Sequence, residues 1–379
     1  MKISPDDKAK VDELRALVKE HLTPYYDTDF NLLRWLVGHD YNLEVIKPKL
    51  INHLLLRRFE EWQLDTVADK PRDHPIHSHW KSGLTEKAVL TPNTIVNVEQ
   101  SGSNDYWGLL QCYPTNEILK ARVHDLESMQ RAVMKMEKET GERCSILYFM
   151  DLSGLKMDRQ LTTLITGALS AISAFMSEHY VELIHSFVLV NAPSFIHTLW
   201  TLARPLLPER TTKKVKILGG NWRQEVLELA VPSALPAFWN EPDSTTFSYP
   251  LERGVPFPQE FFYKGAMPAD AETLIVKAGR TGYIEKHVKE NERLRFELSG
   301  DGQFAFTVFF FAGSPEEAAE VDTLQWPRAY PQFNKIPGPT IVPMKDEFRC
   351  PRTGTYRAWF SNEHAWFHTL KISFVFSIV

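Results

Sequence analysis

Residues 186–218 read SFVLVNAPSFIHTLWTLARPLLPERTTKKVKIL. Ser186–Val190 and Val215–Leu218 are short runs dense in β-branched and large apolar residues, the composition of buried strands. The stretch between them predicts a helix over Ser194–Leu207. Phe195, Ile196, Leu199, Trp200, Leu202, Ala203, Leu206 and Leu207 leave that helix almost no polar face. A helix that is apolar nearly all round must be buried, or must touch apolar matter on two sides. Arg210, Lys213, Lys214 and Lys216 follow in close succession. Two readings stay open. One is a core helix followed by a solvated basic turn. The other is a lid over a hydrocarbon chain, whose neighbouring cations meet anionic lipid phosphates at about 1 kcal/mol each.

The alternation continues outward. Thr94–Val98, Trp107–Cys112 and Cys144–Met150 predict further strands, and Asn116–Thr140 and Gln160–Ser177 further helices. This order predicts an α/β sheet with helices packed on it. Gly167, Ala168, Ala171 and Ala174 in the 160–177 helix permit close packing, or leave room for a ligand against the sheet. Asp151 with Gly154 reads as a strand-exit turn or a ligand contact.

The N-terminal part reads as helices. Ser4-Pro5-Asp6-Asp7 is a helix start, with Ser as cap and Pro at the first position, followed by Val11, Leu14, Val18 and Leu22 at helical spacing. Asp29–Val37 predicts a second helix ended by Gly38. Asn42 caps a third, in which Pro48 is expected to kink the helix or shift its start. Residues 70–92 form a Pro- and His-rich connector. After residue 240 the prolines multiply. Thr273–Ala278, Arg293–Leu298, Phe304–Phe311, Gly354–Phe360 and Leu370–Phe376 then predict strands of an all-β sandwich. The expected plan is multidomain: an N-terminal helical region over 1–75, an α/β domain with a mixed sheet over 76–243, a Pro-rich linker over 244–265 and a β-sandwich over 266–379.

A net charge of -5 argues against a nucleic-acid binder, which would usually carry a basic face. The polar, acidic N-terminus predicts no secretory signal, and the C-terminal residues no prenylation box. No run of apolar residues predicts a bilayer span. Cys112, Cys144 and Cys350 are far apart and odd in number, which predicts reduced thiols and a cytoplasmic protein. The Gly-x-Ser-x-Gly, phosphate-loop and His-Glu-x-x-His motifs are absent from the sequence, so no enzyme, cofactor or metal is expected. His74, His77 and His79 have no nearby Cys and read as surface histidines rather than metal ligands.

Asp29-Phe30-Asn31-Leu32-Leu33-Arg34-Trp35-Leu36, Tyr148-Phe149-Met150-Asp151-Leu152-Ser153-Gly154, Val190-Asn191-Ala192-Pro193, Arg204-Pro205-Leu206-Leu207 and Lys216-Ile217-Leu218-Gly219 together resemble the CRAL-TRIO lipid-transfer family over about residues 28–243. Gly354-Thr355-Tyr356-Arg357-Ala358-Trp359-Phe360-Ser361-Asn362 resembles a GOLD domain, the pairing being that of the supernatant protein factor subgroup. The resemblance implies a CRAL-TRIO fold enclosing one hydrophobic ligand beneath a mobile gate at 195–218. Phosphatidylinositol-binding members hold the headgroup with residues that match Glu182 and Lys214, with Thr211 nearby. A cation for phosphate and a carboxylate for inositol hydroxyls is the expected chemistry, and a plain surface salt bridge is the alternative. The implied pocket residues are Phe195, Leu199, Trp200, Leu202, Leu206, Tyr148, Ile146 and Tyr180. The sequence departs from the family at Val37-Gly38-His39-Asp40, where cations are usual, at Ile146 and Tyr148, where some members place hydroxyls against phosphatidylcholine, and at Trp239-Asn240, usually Gly-Gly. The expected function is binding of one lipid, such as phosphatidylinositol, and its transfer or presentation between membranes. Transient membrane contact and a protein partner for the sandwich are expected with it. The alternative is a non-transferring adaptor acting through the sandwich.

Overall fold

The computed structural model describes residues 2–207 and 209–379. Three helices open the chain: α1 (Pro5–Val18), α2 (Asp29–Gly38) and α3 (Leu43–Arg58). Each starts on a side-chain cap, from Ser4, Thr28 and Asn42 in turn. Pro48 sits inside α3 without shifting its start. Val11, Leu14, Leu32, Trp35, Leu36, Ile46, Leu50 and Leu54 pack into one cluster. Two single-turn helices follow, α4 (Leu64–Val67) and α5 (Ile76–His79).

The central sheet comprises β1 (Leu84–Lys87), β2 (Thr94–Glu99), β3 (Ser145–Asp151), β4 (Ile184–Val190) and β5 (Val215–Ile217), in that spatial order. β1 pairs antiparallel and the others pair parallel, so the sheet is mixed. Its helices are α6 (Tyr106–Cys112), α7 (Thr115–Thr140), α8 (Arg159–Thr166), α9 (Ala168–His179), α10 (Ile196–Ala203), α11 (Glu209–Thr212) and α12 (Trp222–Val226). Trp107–Cys112, expected as a strand, is helical. Asp105 caps it by accepting from the Gly108 N–H at 2.8 Å, and one face carrying Gly108 and Leu109 is buried. The helix expected over Gln160–Ser177 breaks at Gly167 into α8 and α9, and that over Ser194–Leu207 shortens to α10 followed by a 3-10 turn at Arg204–Leu206. Arg159–His179 as a whole is long and apolar enough for a bilayer span. The two helices it forms have 8 and 12 residues, each short of the ~20 a span needs.

The C-terminal part is two antiparallel sheets. β6 (Glu272–Val276), β7 (Thr281–Val288), β8 (Arg293–Gly300), β9 (Phe304–Phe311), β10 (Arg328–Ile336), β11 (Met344–Arg349), β12 (Gly354–Ser361) and β13 (Leu370–Ile378) order as β10-β9-β12-β7 and β11-β8-β13-β6. Phe296, Phe304, Phe306, Phe348, Phe360 and Ile372 fill the space between them. The three cysteines are unpaired, Cys144 and Cys350 buried.

Buried ion pairs lock these parts together. Arg34 pairs with Glu137 on α7 and donates to the Cys144 carbonyl at 2.7 Å. Arg57 forks onto Glu127 at 2.8 and 3.1 Å. The sandwich docks through Lys120–Asp346 at 2.8 Å, and Phe59 and Trp62 pack on Tyr330 and Phe333. Lys335 on β10 reaches α8 and α9, donating to the Thr166 carbonyl at 3.1 Å and the Ser170 hydroxyl at 2.7 Å.

Candidate functional site

Between the sheet and helices α8, α9 and α10 lies a cavity of about 570 Å³, within the ~300–1,000 Å³ span of small-molecule sites. Tyr148, Met150, Phe187 and Leu189 floor it, while Leu161, Leu164, Ile172, Met176, Ile196, Leu199 and Trp200 roof it. The roof follows from sequence. α10 buries Ile196 and Leu199 inward, while Leu202 stays 39% exposed on the outside. The helix thus meets apolar matter on one side and lies open on the other, as a lid does. On α9 the small residues divide. Ala168 and Ala171 are buried off the cavity wall, whereas Ser170, Ser173 and Ser177 face it.

Not every expected pocket residue lines the space. Tyr148, Tyr180, Leu199, Trp200 and Leu206 do. Ile146 is buried in the core on the same face of β3 as Tyr148, Phe195 packs beside Leu152 and Leu161, and Leu202 points to solvent. β3 alternates its faces, but Ile146 belongs to the cluster around α7 and falls short of the cavity.

The three expected headgroup residues come together at the cavity rim. Glu182 precedes β4 and Lys214 precedes β5, so both lie at the N-terminal ends of these parallel strands. Lys214 Nζ donates to Glu182 Oε2 at 3.0 Å and to the Ile184 carbonyl at 2.8 Å. Both side chains are partly solvated, and Thr211 lies in the turn between, its carbonyl accepting from the Lys214 N–H at 3.0 Å. Glu182 adopts φ 54°, an uncommon backbone for a non-glycine residue. Arg210, expected only as one cation of the basic run, joins the rim. It donates to the Gly38 carbonyl at 2.9 Å and the Ser177 carbonyl at 2.5 Å, tying α11 to the last turns of α2 and α9. Burial lowers the Arg210 pKa against the opposing pull of Glu182. A Cβ on Gly38 would lie 2.2 Å from Val181 Cγ1, so the close approach of α2 to the rim requires glycine there.

A second polar cluster, absent from the expectations, lines the cavity from the C-terminal end of β2. Glu99 Oε1 accepts from Trp80 Nε1 at 2.7 Å, Tyr106 Oη at 2.6 Å and Asn104 Nδ2 at 3.0 Å. Glu99 Oε2 accepts from Tyr148 Oη at 2.9 Å and Arg122 Nη1 at 3.4 Å. Arg122 Nη2 donates to Tyr148 Oη at 2.6 Å. Burial drives the Tyr148 hydroxyl well above its ordinary pKa. Burial acts to lower Arg122, but Tyr148, Glu99 and Asp125 outweigh it and keep it charged. These residues are scattered between positions 80 and 148, with no local motif to mark them.

Asp151 makes the strand-exit turn: Oδ1 accepts from Ser153 N–H and Asn191 Nδ2, and Oδ2 from Trp239 Nε1 at 2.9 Å. His77 is buried rather than on the surface, and burial beside Arg72 pushes it down to about 3. No group of three or more metal-ligating side chains occurs among the described residues.

Residues 93–240 match the model of the CRAL/TRIO domain. Residues 266–378 match that of the F28H7_8_C-like, C-terminal domain, and residues 3–67 a domain of unknown function, DUF8435. The chain is 29% identical over 276 residues to CRAL-TRIO domain-containing protein F28H7.8 of Caenorhabditis elegans, covering 70% of this chain and 64% of that protein. It is 25% identical over 245 residues to the phosphatidylinositol/phosphatidylcholine transfer protein SFH11 of Arabidopsis thaliana, covering 62% and 63%. The chain therefore spans less than two thirds of the length of these relatives. The crystal structure of Sfh5 superposes with a TM-score of 0.46 at 18% identity, over 57% of this chain and 82% of that one.

Proposed function

The chain carries a CRAL-TRIO domain over residues 93–240, and from that premise we propose that it binds one lipid in the gated cavity and carries or presents it between membranes. The cavity of about 570 Å³ beneath α10 carries this reading. Its walls are largely apolar, so a hydrocarbon chain leaving a bilayer is shielded from water at roughly 25 cal/mol per Å². The outward-facing Leu202, with the partly exposed Leu206 at the cavity edge, lets the same lid meet the bilayer when it swings open.

The rim fits a phosphoinositide headgroup. Lys214 supplies a cation to the phosphate, Glu182 accepts from inositol hydroxyls, and Thr211 is within the same turn. The relative from Arabidopsis that is named for phosphatidylinositol and phosphatidylcholine transfer supports this lipid class. Lipid binding and release need no reacting group, and we assign no catalytic residue and no cofactor beyond the lipid itself. We place the protein in the cytoplasm with transient membrane contact, in keeping with three unpaired cysteines. The GOLD-like sandwich is a further contact surface. An adaptor that carries nothing would have its cavity filled by its own side chains, and the open space counts against it.

The test is native mass spectrometry of the purified chain together with transfer of phosphatidylinositol between vesicles. A single lipid per chain and measurable transfer are expected. A chain without lipid that moves none between vesicles overturns the carrier reading.

A further inference from the structure

The loop between β12 and β13 exposes Trp366 at 87% and Phe367 at 95%. Two adjacent aromatic side chains that touch almost nothing are unusual on a folded surface, where large apolar groups mark contact sites when clustered. The loop beneath them is tightly held. Asn362 is fully buried, and its side chain donates to the Val276 carbonyl at 3.0 Å and to the His368 carbonyl at 2.8 Å. Its backbone bonds to Gly279 and Arg280. His368 meets Asp301 at 3.0 Å. The rings are therefore displayed by a fixed scaffold rather than left on a slack tether.

Three features specify what meets them. The aromatic pair is a convex tip, the shape that enters a yielding surface. Lys277, Arg280 and Lys371 are exposed and belong to the segments bonded to the loop base; none makes an ion pair among the described residues. Of the acids nearby, Asp301 is engaged by His368 and the Lys371 N–H, and Glu363 by the Ser361 hydroxyl. A basic collar around a Trp–Phe tip matches an anionic lipid surface, where Trp settles at the headgroup level and cations meet phosphates.

The loop is also linked to the cavity roof. His368 lies against Gly302, Gly302 against Gly338, and Pro337 against Gly167, the break between α8 and α9. Lys335, beside these residues, bonds to α8 and α9 directly.

From this juxtaposition we infer that Trp366 and Phe367 are a membrane-insertion tip that seats the β-sandwich on an anionic bilayer next to the cavity roof. The inference rests on the carrier reading for its purpose, but its measurement does not. The full chain is floated with phosphatidylcholine vesicles, with and without phosphatidylserine. Trp366→Ser with Phe367→Ser is expected to lower binding about tenfold or more, since two large aromatic surfaces leave the interface. The swap Trp366→Phe with Phe367→Trp keeps that surface and is expected to float like the natural chain. Both variants are expected to retain their co-purified lipid and their thermal midpoint, because neither ring supports the fold. Lys277→Glu with Arg280→Glu is expected to remove the phosphatidylserine-dependent part of the binding. Unchanged flotation of the Ser–Ser variant overturns the inference. So does unchanged flotation accompanied by loss of a co-purifying protein, which would assign the tip to a protein contact. A chain without cargo that still floats through this tip would sink the carrier reading and leave the insertion tip standing.

Discussion

At one end of the cavity Glu99 holds five donors through bonds of 2.6 to 3.4 Å and Arg122 donates to Tyr148 at 2.6 Å, with Glu99, Arg122, Tyr148 and Trp80 buried and Tyr106 and Asn104 partly so. At the rim Lys214 and Glu182 share one contact of 3.0 Å and remain partly solvated. The two clusters sit at opposite ends of the parallel strands, Glu99 ending β2 while Glu182 and Lys214 precede β4 and β5. Both put a carboxylate beside a cation on the wall of one cavity, yet their surroundings differ. Bonds already made inside the protein leave little for a ligand; of the fully buried side-chain atoms of Glu99, Arg122 and Tyr148, only Arg122 Nε lacks a partner among the described residues. A single solvated pair can exchange its partner for a headgroup at small cost. Polar residues on a cavity wall identify a recognition site when their bonds are replaceable, and a structural brace when they are not.

The sharpest break of this contrast is Glu99→Ala. It leaves Arg122 charged and buried without its carboxylate and frees the Trp80, Tyr106 and Asn104 donors. Removing one partner of a buried pair costs about 3–5 kcal/mol, so the urea midpoint is expected to fall strongly. Lipid loading of the surviving folded fraction is expected to persist. A variant as stable as the natural chain would show that the cluster braces nothing.

A smaller effect comes from behind the same cluster. Asp125 pairs with Arg72 at 2.7 Å, yet burial raises its carboxyl from 3.8 to about 6. Its folded-state pKa lies above the unfolded value, so the folded chain binds this proton more tightly. The stabilisation is full below the unfolded value and is lost as pH rises through about 6. Asp125→Asn removes that loss. Relative to the natural chain the variant is expected to gain on the order of 2 kcal/mol between pH 4 and pH 7, at about 1.4 kcal/mol per pKa unit. Parallel stability–pH curves for the two chains would contradict the buried, proton-holding carboxyl.

What the sequence disclosed divides along similar physical lines. β2, β3, β4 and β9 are apolar because they are buried in the middle of sheets, and each was legible. The strands missed, β1, β7, β10 and β11, all lie on sheet edges. Edges carry charge, proline and glycine to discourage further pairing, as Lys345, Asp346, Glu347, Pro331 and Gly282 do here. The helix at Tyr106–Cys112 was misread because its apolar residues match a strand's composition while its deciding signal is the Asp105 cap. Glu182, Lys214 and Thr211 were placed by resemblance, and the fold brings them to one rim. Glu99, Arg122 and Tyr106 become neighbours only through tertiary packing, and no spacing announces them. Arg210 was visible as one cation of a basic run, but its bonds to Gly38 and Ser177 span 172 and 33 residues.

The smallest effect on stability, and the most telling for function, belongs to the rim. Glu182→Ala with Lys214→Ala removes both partners of the ion pair together, and Arg210 keeps its bonds to the Gly38 and Ser177 carbonyls. Partly exposed pairs contribute about 0–1 kcal/mol, and the folding midpoint is expected to move little. A charge-assisted contact to a phosphate contributes about 1.5–3 kcal/mol, so phosphatidylinositol loading is expected to fall at least tenfold. Loading of lipids without an anionic headgroup is expected to hold, since the Leu199, Trp200 and Met176 walls are untouched. If instead the double variant unfolds early and loads phosphatidylinositol normally, the rim is the brace and the contrast between the two clusters is inverted.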